Sequence, residues 1–181
     1  IISLHVLGQN IVDVTGIASF SNLVALSFAS TSINDLSIID FQNLKSLGIS
    51  NNTALNSVDA SGAVSLTELN IQNNPLLSSM NLANCTTLNG FFYPSGNLSV
   101  LNLSGCTSIG VIDVEFNNFT TIDLTGLTSL NYLYLSGNQL NSIDVTGCNS
   151  LLSIECMNNQ LTTLDFHDLL SLASIRANGN L

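Results

Sequence analysis

Phe92, Asp113, Tyr134 and Glu155 stand 21 residues apart along a chain of 181, and Tyr132, Glu115 and Met157 fall two positions to either side of them. Rings with a polar tip, set among carboxylates, are what contact surfaces for proteins or glycans use: the ring contributes area and the hydroxyl fixes orientation. The chemistry these residues offer is recognition. The sequence contains no G-x-S-x-G elbow, H-E-x-x-H, G-x-x-x-x-G-K or G-x-G-x-x-G motif, so no catalytic or cofactor-binding constellation is expected. His167 and Asp168 are adjacent but are expected to face water. The chain is read as a non-enzyme that needs no cofactor.

Spacing near 21 residues belongs to the whole chain. Repeat units open at Ile1, Leu23, Leu44, Leu66, Leu88, Ile109, Leu130, Leu151 and Leu172. Such a period marks a solenoid, whose units each have an apolar edge that only their neighbours can cover. Leu133-Tyr134-Leu135 alternates as a half-buried strand does, and Ile143-Asp144-Val145 suggests a second short strand in each coil. No window carries a helical stripe, so both sides of the coil are expected to be β. An Asn column at Asn52, Asn74, Asn117, Asn138, Asn159 and Asn180 marks the bend after the first strand, where an inward amide can satisfy backbone groups leaving the sheet. Residues 1–181 read as a single solenoid of eight repeats plus part of a ninth. Without visible polar caps it is expected to be a piece of a longer protein. The outward positions of the first strands are bland in three coils (Ser3, His5, Ala25, Ser27, Ser46, Gly48). From the fourth coil onward they gather Phe92, Tyr132, Tyr134 and Met157 among acids, with Asp113 and Glu155 expected at the rim.

The pattern L-x-x-L-x-L-x-x-N-x-L is matched by Leu130, Leu133, Leu135, Asn138 and Leu140, and by Leu44, Leu47, Ile49 and Asn52 followed by Leu55. These residues resemble leucine-rich repeats. The stretch VTGIASFSNLVALSF is similar to the internalin type, and IDLTGLTSL and IDVTGCNSL are similar to the short repeats of bacterial surface proteins. The resemblance implies a mainly β, right-handed leucine-rich repeat solenoid with a concave parallel sheet and short strands on the opposite face. It also implies a secreted or cell-surface location and a protein or glycan ligand held in adhesion or recognition.

Composition narrows the partners. Twelve acids against Lys45 and Arg176 give a net charge of −10, which disfavours nucleic acid and anionic membranes, and no apolar run is long enough to span a bilayer. A monomer is expected. Cys85, Cys106 and Cys148 share a column with Ala63, Leu127 and Leu169 and read as buried small hydrophobes. Cys85 and Cys106, in adjacent coils, are also within disulfide reach. On the second strand the column Asp59, Asp123, Asp144 and Asp165 admits solvated edge residues, a hydroxyl-flanked ice-binding array or a calcium ladder. Stacked at about 5 Å, Asp123, Asp144 and Asp165 are expected to repel, to have raised pKa values and to make the fold more stable from about pH 7 to pH 5. The rival to a binding module is a spacer with no ligand, for which an uneven concave face has no use.

Overall fold

A computed structural model of the chain describes residues 2–167 and 169–181; Ile1 and Asp168 lie outside the described residues. Each coil opens with a strand on the concave side: β1 (Ser3–Leu7), β2 (Ala25–Ala29), β4 (Ser46–Ser50), β6 (Glu68–Gln72), β8 (Gly90–Phe92), β10 (Val111–Asp113), β11 (Tyr132–Tyr134), β12 (Ser153–Glu155) and β13 (Ser174–Arg176). All ladders between neighbours are parallel, as one-coil crossovers require. Strand alternation sends Leu26, Leu47, Ile112, Leu133 and Ile154 inward, where they form one continuous apolar ribbon with Leu130, Leu135, Leu140 and Cys148. A single 3-10 turn, Thr15–Ser19, interrupts the first coil.

The opposite face carries strands β3 (Asp35–Ser37), β5 (Ser57–Asp59), β7 (Ser79–Asn81) and β9 (Val100–Asn102), paired in that order. The expectation of a second strand in every coil fails beyond β9: residues 121–123, 142–144 and 163–165 form no ladder among the described residues. The sixth and later coils lack the extra bend residue found in the third and fourth, where the Leu55 N–H returns to the Asn52 carbonyl and that of Leu77 to Asn74. Where two successive coils are both of the shorter kind, inter-coil bonding moves back into the bend, as Asn118 N to Leu98 O, Gln139 N to Phe119 O and Gln160 N to Leu140 O.

Bends are held by the Asn column. Asn138 Oδ1 accepts the Phe119 N–H at 3.0 Å while its Nδ2 donates to Val114 O and Leu135 O, and Asn117, Asn159 and Asn180 repeat the pattern. Past the second strand the chain turns through glycines such as Gly62 (φ 75°) and Gly105 (φ 77°). A Cβ at Gly62 would sit 2.2 Å from Asp40 Oδ1, so a larger residue there would have to push that carboxylate aside as well as adopt a left-handed backbone.

Three coils depart from the Asn column: Gln9 and Thr31 stand there in the first two, and the fifth departs most. In the fifth, the inward strand position held elsewhere by Ile49, Ile71, Val114 and Leu135 is Tyr93, and the Asn position is Gly96. The Tyr93 ring occupies the missing amide's place, since a Cβ on Gly96 would lie 2.2 Å from its Cε1, and its hydroxyl donates to Asn74 O at 2.9 Å. At this junction the concave sheet divides: β1-β2-β4-β6 form one sheet and β8-β10-β11-β12-β13 another.

Candidate recognition surface

The C-terminal concave sheet stacks its outward residues into rows. Register places Gly90, Val111, Tyr132, Ser153 and Ser174 in the first row and Phe92, Asp113, Tyr134, Glu155 and Arg176 in the second. Bonds from Ser95 N to Glu115 O, Phe116 N to Ser136 O and Gly137 N to Met157 O carry Glu115, Ser136 and Met157 into a third. The seven residues singled out in the sequence thus share one face. Phe92 is 56% exposed and Tyr132 40%, whereas Tyr134, Asp113, Glu115, Glu155 and Met157 are half-buried by their neighbours. Among the described residues neither Tyr132 nor Tyr134 uses its phenol in a hydrogen bond, so both hydroxyls are uncommitted.

The expectation that Asp113 and Glu155 lie at the rim is corrected by the register for Asp113, while Glu155 does end the aromatic part of the row. Asp113 sits between Phe92 and Tyr134, and Glu155 between Tyr134 and Arg176, because residues 21 apart fall in one row across the sheet. Glu155 accepts a charge-assisted bond from Arg176 Nη1 at 3.0 Å, and Asp113 Oδ1 accepts the Glu115 N–H at 3.3 Å. Arg176 was not among the residues picked out, although its row follows from the 21-residue spacing. On the N-terminal sheet polar side chains are bonded to one another, Ser3 and Ser27 both to the His5 ring, and no aromatic projects from β2, β4 or β6.

Phe116 is the residue that sequence reasoning missed. Strand parity assigns it inward, yet it is 56% exposed and its backbone lies in the left-handed region (φ 53°). The signal lay in the column: the equivalent positions are Ser30, Asn51, Asn73, Ser95, Gly137, Asn158 and Gly179, all types that tolerate that conformation. The Phe116 ring covers Gly137, at the end of the third row, where the neighbouring Ser136 hydroxyl is buried and has no hydrogen-bond partner among the described residues. Phe116→Asn should therefore hold or raise the melting temperature, because relief of roughly 1–2 kcal/mol of backbone strain offsets the lost ring contact. A clear drop on thermal denaturation would show the ring to be a structural clasp.

On the opposite face the expected repulsion does not prevail. The Asp123 pKa lies below its ordinary value because the Thr125 N–H, at 2.9 Å, and then the Thr125 hydroxyl bind its carboxylate; repulsion from Asp144 is the smallest influence on it. Asp144 is lowered by the Thr146 hydroxyl and N–H, and Asp165 by the His167 ring and N–H. The sign of the pH effect therefore reverses. With folded pKa values depressed below 3.8, these bonds stabilise the fold above the unfolded pKa, and that contribution is lost as pH falls through the folded values. The melting temperature should stay level from about pH 7 to pH 5 and fall below about pH 4; a rise on acidification would restore repulsion as the ruling effect. Among the described residues no three His, Cys, Asp or Glu side chains converge on a metal site. Nor is this face an even array, because its ladder ends at β9.

All four cysteines are buried free thiols, and Cys85 and Cys106 form no disulfide. The thiol of Cys85 faces Ala60 O at 3.4 Å and that of Cys106 faces Leu82 O at 3.0 Å. Burial pushes the Cys85 thiol up to about 12, so it is protonated and unreactive at neutral pH.

With this geometry in place, comparison with solved structures gives consistent partners. The functional domain of InlJ from Listeria monocytogenes, described as including a cysteine ladder, is 20% identical with a TM-score of 0.54, over 98% of this chain and 48% of that one. Listeria monocytogenes InlP is 16% identical with a TM-score of 0.58, over 96% and 55%. A leucine-rich repeat protein of Leptospira interrogans is 19% identical with a TM-score of 0.57, over 93% and 52%. The likeness establishes the fold: this chain is a leucine-rich repeat solenoid. It spans about half the length of these proteins. No family model matches the chain, and no curated protein matches it either.

Proposed function

We propose that the chain is a non-enzymatic recognition module of a secreted or surface-attached protein, holding a protein or glycan on the concave face of its C-terminal sheet. The observation that carries this reading is the contiguity of Phe92, Asp113, Tyr134, Glu155 and Arg176 in one row with Tyr132 beside it, on a sheet whose N-terminal counterpart carries no such residues. Outward side chains on a solenoid strand contribute little to folding, so a cluster of exposed rings there is better accounted for by a partner. The phenols and the Asp113 carboxylate offer hydrogen bonds, and the Glu155–Arg176 pair gives the row a polar end. Adhesion or ligand capture outside a bacterial cell agrees with the resemblance to internalin-type repeats.

The test is an array of glycans and extracellular proteins probed with the purified chain, followed by the Tyr132→Ala/Tyr134→Ala double variant on any hit. The double variant should lose about 2–4 kcal/mol of binding, at 1–2 kcal/mol or more for each contact residue truncated, whereas Ser27→Ala on the N-terminal sheet should leave affinity unchanged. Binding that survives the double change would favour a spacer without a ligand of its own.

A further inference from the structure

The division of the concave sheet between the fourth and fifth coils leaves a strand edge open inside the solenoid. The Glu68 N–H donates back to Lys45 O of the third coil, and Gln72 O accepts the Asn51 N–H, so parallel alternation turns the N–H and C=O groups of Leu69 and Ile71 towards the fifth coil. Among the described residues they meet no ladder partner there. Elsewhere a second tie exists, as when Asn74 Nδ2 donates to Ile49 O and Asn117 Nδ2 to Tyr93 O. Gly96 has no amide to offer Ile71 O. The two coils remain joined through the back ladder β7–β9, the Tyr93 hydroxyl on Asn74 O, and Asn97 Nδ2 on Pro75 O at 2.7 Å. Beyond the C-terminal end of β6, over the bends of the third to fifth coils, lies a groove of about 860 Å³ lined by Asn51, Ile71, Gln72, Asn73, Tyr93 and Pro94. Leu69, whose counterparts Leu47 and Phe91 are fully buried, is only partly covered.

From this we infer that the open edge of β6, with the groove at its C-terminal end, is a peptide-binding site that accepts one extended, basic segment of a protein partner by strand addition. Unpaired backbone groups repeating at strand intervals, N–H and C=O together, are met by another extended main chain. The inner side of such a strand faces Leu69 and Ile71 and calls for apolar residues. The outer side faces exposed Glu68 on one lip, with Asp113 and Glu115 one coil beyond the other, in a chain whose only bases are Lys45 and Arg176, and calls for lysine or arginine. The Tyr93/Gly96 pair marks the opening in the sequence: the ring takes the space an amide would need, whereas the second coil, which has Thr31 and no such ring there, keeps its sheet closed. This site shares Asp113 and Glu115 with the rows described above but uses neither Tyr132 nor Tyr134.

The probe is a fluorescein-labelled (Lys-Val)4 peptide followed by anisotropy, beside the same peptide N-methylated at alternate residues and (Glu-Val)4. The unmodified peptide should bind, and N-methylation, which keeps charge and side chains but removes donors, should weaken binding at least tenfold, as should charge reversal. Tyr93→Ile/Gly96→Asn, which restores the residues of the other coils, should close the sheet and weaken binding at least tenfold, while Ser27→Ala should leave it unchanged. Should the closing variant fold poorly, hydrogen exchange on the unaltered chain decides: the Leu69 and Ile71 amides should exchange faster than those of Leu47 and Ile49 and slow on adding (Lys-Val)4. Absence of binding, equal binding of the N-methylated peptide, or equal protection of all four amides without peptide would overturn the inference.

Discussion

Replacing Leu133 with alanine should lower the stability of the folded chain by roughly 2–5 kcal/mol, the transfer and cavity cost of a large buried aliphatic side chain. Leu133 is fully buried, stacked between Ile112 and Ile154 on the inward side of β10, β11 and β12. A solenoid has no means of collapsing around the hole, because the flanking strands are held at ladder spacing by their backbone bonds. Leu133→Ile, which conserves volume, should cost less than about 1.5 kcal/mol. Urea denaturation checks both; a loss below about 1 kcal/mol for the alanine variant would mean that the coil yields where packing implies rigidity.

The second large effect is expected at Asn138, where Asn138→Ala should cost about 2–4 kcal/mol. The change leaves the Phe119 N–H buried without an acceptor, at about 1–3 kcal/mol. Val114 O and Leu135 O lose one bond each but keep another, from Asn117 Nδ2 and Asn159 Nδ2. Those shared carbonyls set the upper limit of the loss. Asn138→Asp discriminates the mechanism: its carboxylate could accept from Phe119 but not donate to the two carbonyls, and a buried charge is costly. It should therefore be at least as destabilising at neutral pH. Equal stability of Asn138→Ala and the parent chain would show that the bends are held by strand pairing alone.

Much of this was legible in the chain because a solenoid writes its three-dimensional neighbours into its period. The inward places of Leu133 and Ile154, the outward places of Phe92, Tyr132 and Tyr134, and the amides of the Asn column follow from alternation and a 21-residue step. The same step places Arg176 on the outward face beside Glu155. Phe116 escaped because parity describes strands and fails in the bend, where a left-handed residue turns its side chain out.

What the sequence by itself determined is therefore the architecture and the side on which each strand residue lies, since both depend on periodicity and burial along the chain. Tertiary structure alone decided the rest. The carboxylates of Asp123, Asp144 and Asp165 are lowered and not raised, because each accepts bonds from a residue two positions on, at shorter range than any neighbour's charge. The back ladder lapses beyond β9, where two successive coils both lack the extra bend residue and bond to each other through the bend instead of the strand. The concave sheet parts between β6 and β8, because a tyrosine ring and an absent amide act together across two coils, a coupling that no single column of the repeat displays.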